Sequence, residues 1–245
     1  MTTDERMAGT LGDAALRTLR VRESVRATPR SRILRLELVG APFAFRPGQA
    51  VRVAPHGRPR RPYSIACAPE EVAERQSLEL LIRGGEESIG DADPMAPGSL
   101  VDVEGPFGAF VFPERVDETR VLFVAGGAGI APLRAMLHHA LRARPALTID
   151  LVYSARTPDE FAYREELTGL ARAGHVRVTE TVTRTVEGDR WTGRRGRIDR
   201  HLLGSAIAGP DTLCFICGPQ SLVHEVPGWL RELGVAAERI RVEQW

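Results

Sequence analysis

Five short segments carry residue types that could hold a phosphorylated, ring-bearing ligand. In Arg61-Pro62-Tyr63-Ser64 a guanidinium could take a phosphate bidentately, a phenol ring could stack on a flat heteroaromatic ring, and a hydroxyl could donate to a ring nitrogen. In GGEES, residues 84–88, Gly84 and Gly85 let backbone approach a ligand, and Ser88 could cap a short helix facing a phosphate. The run from Gly126 through Gly127 and Gly129 to Pro132 follows an apolar strand pattern and opens a helical one. Glycines there remove Cβ atoms where a diphosphate must lie, and Pro132 suits a first helical turn. Pro132 stands where the usual dinucleotide fingerprint has its third Gly. Cys217-Gly218-Pro219 ends one apolar run and precedes a helical pattern, and Val242-Glu243-Gln244-Trp245 closes a β-run on an aromatic residue. Taken singly, each has a plainer reading as a strand start, a turn, a buried thiol or a tail.

Positioning these groups takes two frameworks. Up to about residue 116, short alternating runs (16–25, 33–39, 50–55, 63–68, 78–83 and 99–105) are separated by turn signals such as RPGQ, PHGRPRRP and APGS. That spacing predicts a small antiparallel β-barrel or sandwich, of which the barrel is preferred. Beyond it, strand patterns at 121–126, 147–154, 176–182, 212–218 and 240–245 alternate with helical patterns at 131–144, 158–174, 198–207 and 219–233. The alternation predicts an α/β doubly wound parallel sheet with helices on both faces. The chain divides into a loose tail at 1–14, a barrel domain at 15–115 and an α/β domain at 116–245, linked by PERVDET at 113–119.

Composition narrows the function. Lys and Arg number 33 against 32 Asp and Glu, so no global field favours nucleic acid or a charged membrane. Every basic side chain apart from His is Arg, so an Arg carries meaning only through its position. The three cysteines, an odd number, give no disulfide framework and point to a reducing, cytoplasmic setting. Cys214 and Cys217 have C-x-x-C spacing, but TLCFICG reads as a buried strand on which they face opposite ways. The N-terminus has acids and no apolar core, unlike a signal peptide, and no apolar run is long enough to span a bilayer. His138 and His139 are adjacent on a helical pattern and diverge, so no metal site is expected.

In their order and spacing, R-x-Y-S, G-x-x-S, GGxGxxP and CGP, together with GSLVDVEGPFGAF at 98–110, resemble the ferredoxin–NADP reductase superfamily over roughly residues 17–245. The resemblance implies that the barrel binds FAD and the α/β domain binds NAD(P). It implies that Arg61 binds the FAD pyrophosphate, Tyr63 stacks on the flavin or bonds its ribityl chain, and Ser64 lies near flavin N5. Pro62 and the strand residues Leu81, Ile82 and Arg83 group with the same site, and Gly85 and Ser88 hold the pyrophosphate from the other side. Gly126, Gly127, Gly129 and Pro132 shape the NAD(P) pyrophosphate site, joined by Gly218 and Pro219, while Cys217 sits beside nicotinamide C4. Trp245 matches a C-terminal aromatic that covers the flavin face in several members, and Glu243 matches an acidic residue near the flavin. The cysteine spacing of a plant-type iron–sulfur domain is absent, so no cluster is expected in this chain.

The implied activity is a flavoprotein reductase that takes hydride from NAD(P)H and passes electrons to a separate acceptor: a ferredoxin, a flavodoxin-like protein, an oxygenase or another metalloenzyme. The alternatives are direct reduction of small molecules or free flavin, and a non-catalytic nucleotide-sensing or assembly subunit. Ser154 and Arg156 close the second strand of the α/β domain, where the adenosine ribose lies in this topology, and Arg184 reaches the same place from the next strand. No acid stands at 154–156 to repel a 2′-phosphate, so NADPH is the expected reductant with NADH the alternative.

Overall fold

The computed structural model describes residues 15–38, 40, 43–83, 93–184, 188, 190–207 and 209–244. The chain forms two compact units, one comprising Met1–Phe112 with Arg134–His139 and the other Pro113–Leu133 with Ala140–Trp245.

In the first unit, six strands pair antiparallel: β1 (Leu16–Thr28), β2 (Ser31–Glu37), β3 (Ala50–Pro55), β4 (Arg61–Ser64), β5 (Ser77–Arg83) and β6 (Leu100–Phe107). Their order is β4-β3-β6-β1-β2-β5. The two ends of that order meet where Ile65 bridges Leu80 and the Ala66 amide donates to the Glu79 carbonyl at 2.8 Å, which closes the sheet into a barrel. The period of two sets the core. Leu34 and Leu36, Val51 and Val53, Leu78 and Leu80, and Val101 and Val103 are all buried and belong to one cluster.

A helix that the alternation does not predict, α1 (Pro69–Arg75), lies between β4 and β5. Its seven residues are too few to show a helical period, but its start is marked by Pro69 and by Glu70 and Glu71 in the first turn.

In the second unit all strands pair parallel: β7 (Arg120–Gly126), β8 (Thr148–Ala155), β9 (Arg177–Val182), β10 (Arg194–Arg195), β11 (Thr212–Gly218) and β12 (Ile240–Gln244). The order is β10-β9-β8-β7-β11-β12, so chain direction across the sheet reverses between β7 and β11. The carboxyl ends of those two strands form the crevice where ligands sit in open α/β sheets. The main helices are α2 (Ile130–Ala143), α3 (Arg164–Arg172), α4 (Arg200–Ala206) and α5 (Gln220–Glu232). Every residue of β11 is buried. Cys214 lies in the cluster with Leu122, Val124, Ile216, Leu203, Val226 and Leu230, as expected for a strand rather than a redox motif.

The pattern at 158–174 does not form one helix. It breaks into a 3₁₀ turn at Pro158–Glu160, two buried residues, Phe161 and Ala162, and then α3. Phe161 sets its ring edge-on to Tyr153, with centroids 4.9 Å apart, and stacks on Trp191 at 5.5 Å. That packing turns the chain inward, and Tyr163 makes the corner at φ 60°. The two-residue strand β10 was not predicted and is too short to carry a pattern.

Candidate active site

On β4 the R-P-Y-S segment passes from solvent to core. Arg61 and Pro62 are exposed, Tyr63 is half-buried against the barrel core, and Ser64 is 2% exposed. Ser64 lies opposite Ala50 on β3. Its Oγ is shielded from solvent and has no hydrogen-bond partner in the structure. A buried hydroxyl left in that state costs about 1–3 kcal/mol, which a ligand atom at hydrogen-bond distance would offset. The donor set therefore fits a polar ring edge.

The segment just after Ser64 is fixed by buried charge. Arg134 donates to the Ala66 carbonyl at 2.7 Å and to both Glu71 carboxylate oxygens at 3.2 and 3.1 Å. Glu71 also accepts the Ala68 amide at 2.8 Å. Arg134 and Glu71 are each 1% exposed. Burial alone would raise the Glu71 carboxyl, yet the Arg134 guanidinium and the Ala68 amide hold it below its ordinary range. Glu79 extends the network, bonded by Arg35 Nε at 2.7 Å and lying 3.6 Å from Arg134 Nη1. Sequence reasoning missed Glu71, Glu79 and Arg134. Partners 63 residues apart leave no local signal.

Among the other residues expected here, Leu81 and Ile82 are buried and Arg83 is exposed on β5. The Ile82 side chain belongs to the barrel core. Gly85 and Ser88 lie outside the described residues.

In the second unit two distant sequence segments meet. Gly126 ends β7, Gly127–Gly129 make a 3₁₀ turn, and α2 begins at Ile130 with Pro132 in its first turn. Gly218 ends β11, and Pro219 is the N-cap of α5. A Cβ on Gly126 would stand 2.7 Å from Pro219 Cδ, and one on Gly129 would overlap the Cys217 carbonyl. Gly129 thus permits backbone-to-backbone closure, and Gly126 lets the Pro219 ring and the Leu222 side chain close on the turn. Gly127 differs: its φ is +54°, and no atom lies within 4 Å of where its Cβ would be. The turn thus presents open space at the switch point, at the start of a 14-residue helix. That cradle fits a diphosphate.

Ser154 sits beside Gly126 in the β7–β8 register. Beyond the strand ends the Arg184 amide donates to the Arg156 carbonyl at 2.8 Å, and the Thr183 amide to the Ala155 carbonyl at 3.0 Å. Arg156 and Arg184, both exposed, are thereby brought side by side at the carboxyl edge. Cys217 is fully buried at the end of β11. Glu243 pairs with Cys217 in register and Gln244 with Gly218, so the terminal strand runs to the same edge. Trp245 lies outside the described residues.

Tyr153 was also missed. Its hydroxyl donates to the Gly127 carbonyl at 3.1 Å and accepts the Ala162 amide at 3.2 Å. The signal available was a Tyr directly before Ser154, after the apolar pair Leu151 and Val152.

No cluster of His, Cys, Asp and Glu suited to a metal occurs among the described residues. His139 instead pairs with Glu70 at 2.8 Å and sets its ring against Phe112. A groove of about 750 Å³ lies against α3 and β9, lined in part by Arg164, Glu180, Arg190 and Trp191 and by none of the expected residues. No helix among the described residues is long and apolar enough to cross a membrane.

Residues 123–227 match the family model of the oxidoreductase NAD-binding domain. The chain is 34% identical over 216 residues to ferredoxin–NADP reductase B of Sorangium cellulosum, covering 84% of this chain and 87% of that relative. It is 31% identical over 204 residues to a component of the Na(+)-translocating NADH-quinone reductase of Klebsiella pneumoniae, covering 76% of this chain but only 48% of that longer protein. Among solved structures, a ferredoxin NADP+ reductase from Neisseria gonorrhoeae with bound FAD and NADP superposes with a TM-score of 0.76 at 21% identity, covering 95% of this chain and 99% of that one.

Proposed function

The chain belongs to the ferredoxin–NADP reductase family, and from that premise we propose that it holds FAD, draws hydride from NADPH and delivers electrons to a separate acceptor protein. As a member it is an NAD(P)H-dependent flavoprotein oxidoreductase. When bound, the flavin supplies the redox chemistry, accepting two electrons with a proton and releasing electrons singly. The protein supplies position, polarity and exclusion of water.

The observation that carries the reading is the buried, unpartnered Ser64 hydroxyl, one step along β4 from Tyr63 and three from the exposed Arg61. Ser64 would donate to a ring nitrogen of the flavin, Tyr63 would stack on it, and Arg61 would bind its diphosphate, which Gly85 and Ser88 would hold from the other side. Pro62 holds the strand extended between them, and Leu81, Ile82 and Arg83 border the same ligand. Gly126, Gly127, Gly129, Pro132, Gly218 and Pro219 would cradle the nucleotide diphosphate. Cys217, with its thiol out of water, would border the nicotinamide, Glu243 would lie near the flavin, and Trp245 would cover the flavin face.

The pairing of exposed Arg156 with Arg184 and the absence of an acid at Ser154 support NADPH over NADH. Family membership supports an acceptor that is another chain, such as a ferredoxin, a flavodoxin-like protein or a metalloenzyme.

Mass analysis of the flavin released from purified protein should give FAD, and FMN would count against the reading. Arg156→Ala should raise KM for NADPH about tenfold or more, the loss of one charge-assisted contact, and leave KM for NADH unchanged. Equal effects on both nucleotides would remove the 2′-phosphate role.

A further inference from the structure

Tyr153 is buried in β8 with its ring edge-on to Phe161 at an interplanar angle of 76°. Phenylalanine would fill that space equally well, so the hydroxyl requires its own explanation. Burial holds the phenol above its ordinary range, which keeps it a neutral donor. It donates at 3.1 Å to the Gly127 carbonyl, which also accepts the Ile130 amide at the end of the 3₁₀ turn, so the phenol reinforces a direction that the turn itself sets. A peptide group is planar and trans, so its carbonyl and the following N–H point opposite ways. Holding the Gly127 carbonyl toward the buried phenol therefore turns the Ala128 N–H away from it. The same hydroxyl accepts the Ala162 amide at 3.2 Å, at the end of the segment that follows Ser154 and Arg156.

We propose that the Tyr153 hydroxyl is a positioning group for the nucleotide: it reinforces the direction of the turn's Ala128 N–H and ties that turn to the 156–162 segment. The proposal rests on the reading of Gly126–Gly129 as the diphosphate cradle of NAD(P). It adds to that reading a single atom that couples the cradle to the segment carrying Arg156.

The test is Tyr153→Phe in the flavin-loaded full chain, which keeps the ring and removes both hydrogen bonds. Calorimetric titration with NADP⁺ should show Kd weakened about tenfold, whereas adenosine 2′,5′-bisphosphate, which has no diphosphate bridge, should weaken less than about threefold. KM should rise in parallel with Kd for NADP⁺ while kcat stays within about twofold and the flavin spectrum is unchanged. An unchanged Kd for NADP⁺, an equal loss for both ligands, or a fall in kcat at constant KM overturns the proposal. A wild-type chain that binds neither NADP⁺ nor NAD⁺ would instead overturn the nucleotide reading itself. Should the variant not fold, amide exchange in the wild type decides: Ala162 exchange should slow when NADP⁺ binds, and an unaffected Ala162 contradicts the coupling.

Discussion

Behind Ser64 the chain is held by charged side chains, whereas around Gly129 it is held by backbone against backbone. The Arg134–Glu71–Glu79 network fixes Ala66 and Ala68 with buried charge. Gly126 and Gly129 fix the turn after β7 by leaving out atoms, so that Pro219 and the Cys217 carbonyl can close on it. The two devices fail differently. A broken buried ion pair leaves an uncompensated charge, a large penalty. An added methyl group at a backbone contact forces a shift, a smaller one. The first arrangement fixes a segment beside a buried polar group, and the second opens a surface for an anion.

The sharpest way to break this contrast is Arg134→Met. It leaves Glu71 and Glu79 buried without the guanidinium and should cost about 3–5 kcal/mol in urea unfolding. Adding Glu71→Leu should recover part of the loss. A loss under about 1 kcal/mol would mean that packing, not charge, holds the segment.

Next in size, Gly129→Ala should cost about 1–3 kcal/mol, because its methyl group meets the Cys217 carbonyl. Gly127→Ala meets nothing and should cost only the left-handed strain at φ +54°, about 1 kcal/mol. Reversal of that order, read from thermal or urea unfolding, would show that the backbone contact is not the constraint.

Ser64→Ala separates holding from acting. Its buried Oγ bonds nothing in the structure, so the flavin-free chain should lose no stability and should gain up to about 1–3 kcal/mol. Stopped-flow flavin reduction should slow about tenfold or more if the hydroxyl serves the ring. Full-speed reduction would return Ser64 to a packing role.

The smallest expected effect is at low pH, in the barrel. His56 Nδ1 bonds Asp102 at 2.7 Å, and the Gly57 amide and the Thr18 hydroxyl donate to the same carboxylate. These bonds, that of His56 foremost, hold the Asp102 carboxyl at about 2 against an ordinary 3.8. The folded value is the lower one, so this contribution is complete above the unfolded value and disappears as pH falls through about 2. Asp102→Asn should flatten the stability profile between those values, and an unchanged acid limb would remove the pair from the account.

The same contrast governs what the sequence made legible. The backbone-built turn was readable because glycine spacing after an apolar strand is a local signature, and the order of β7 and β11 did the rest. The alternation at Leu34 and Leu36 or Val51 and Val53 likewise announced the barrel. The side-chain-built cluster was not readable, since Glu71 and Arg134 meet only after folding. Helix α1 is too short for a period, and the break at Phe161 follows from rings at Tyr153 and Trp191 that no window joins. Tyr153 was hidden in plain view as one more apolar residue of β8, because its hydroxyl finds Gly127 and Ala162 only in three dimensions.

The most direct test of the account is anaerobic titration of the purified full-length chain with NADPH, followed by visible absorption. The account predicts a yellow protein carrying one FAD per chain, bleached by about one equivalent of NADPH and re-oxidised by an added acceptor protein. A colourless preparation that takes up no FAD, or a flavin that neither NADPH nor NADH bleaches, would contradict it.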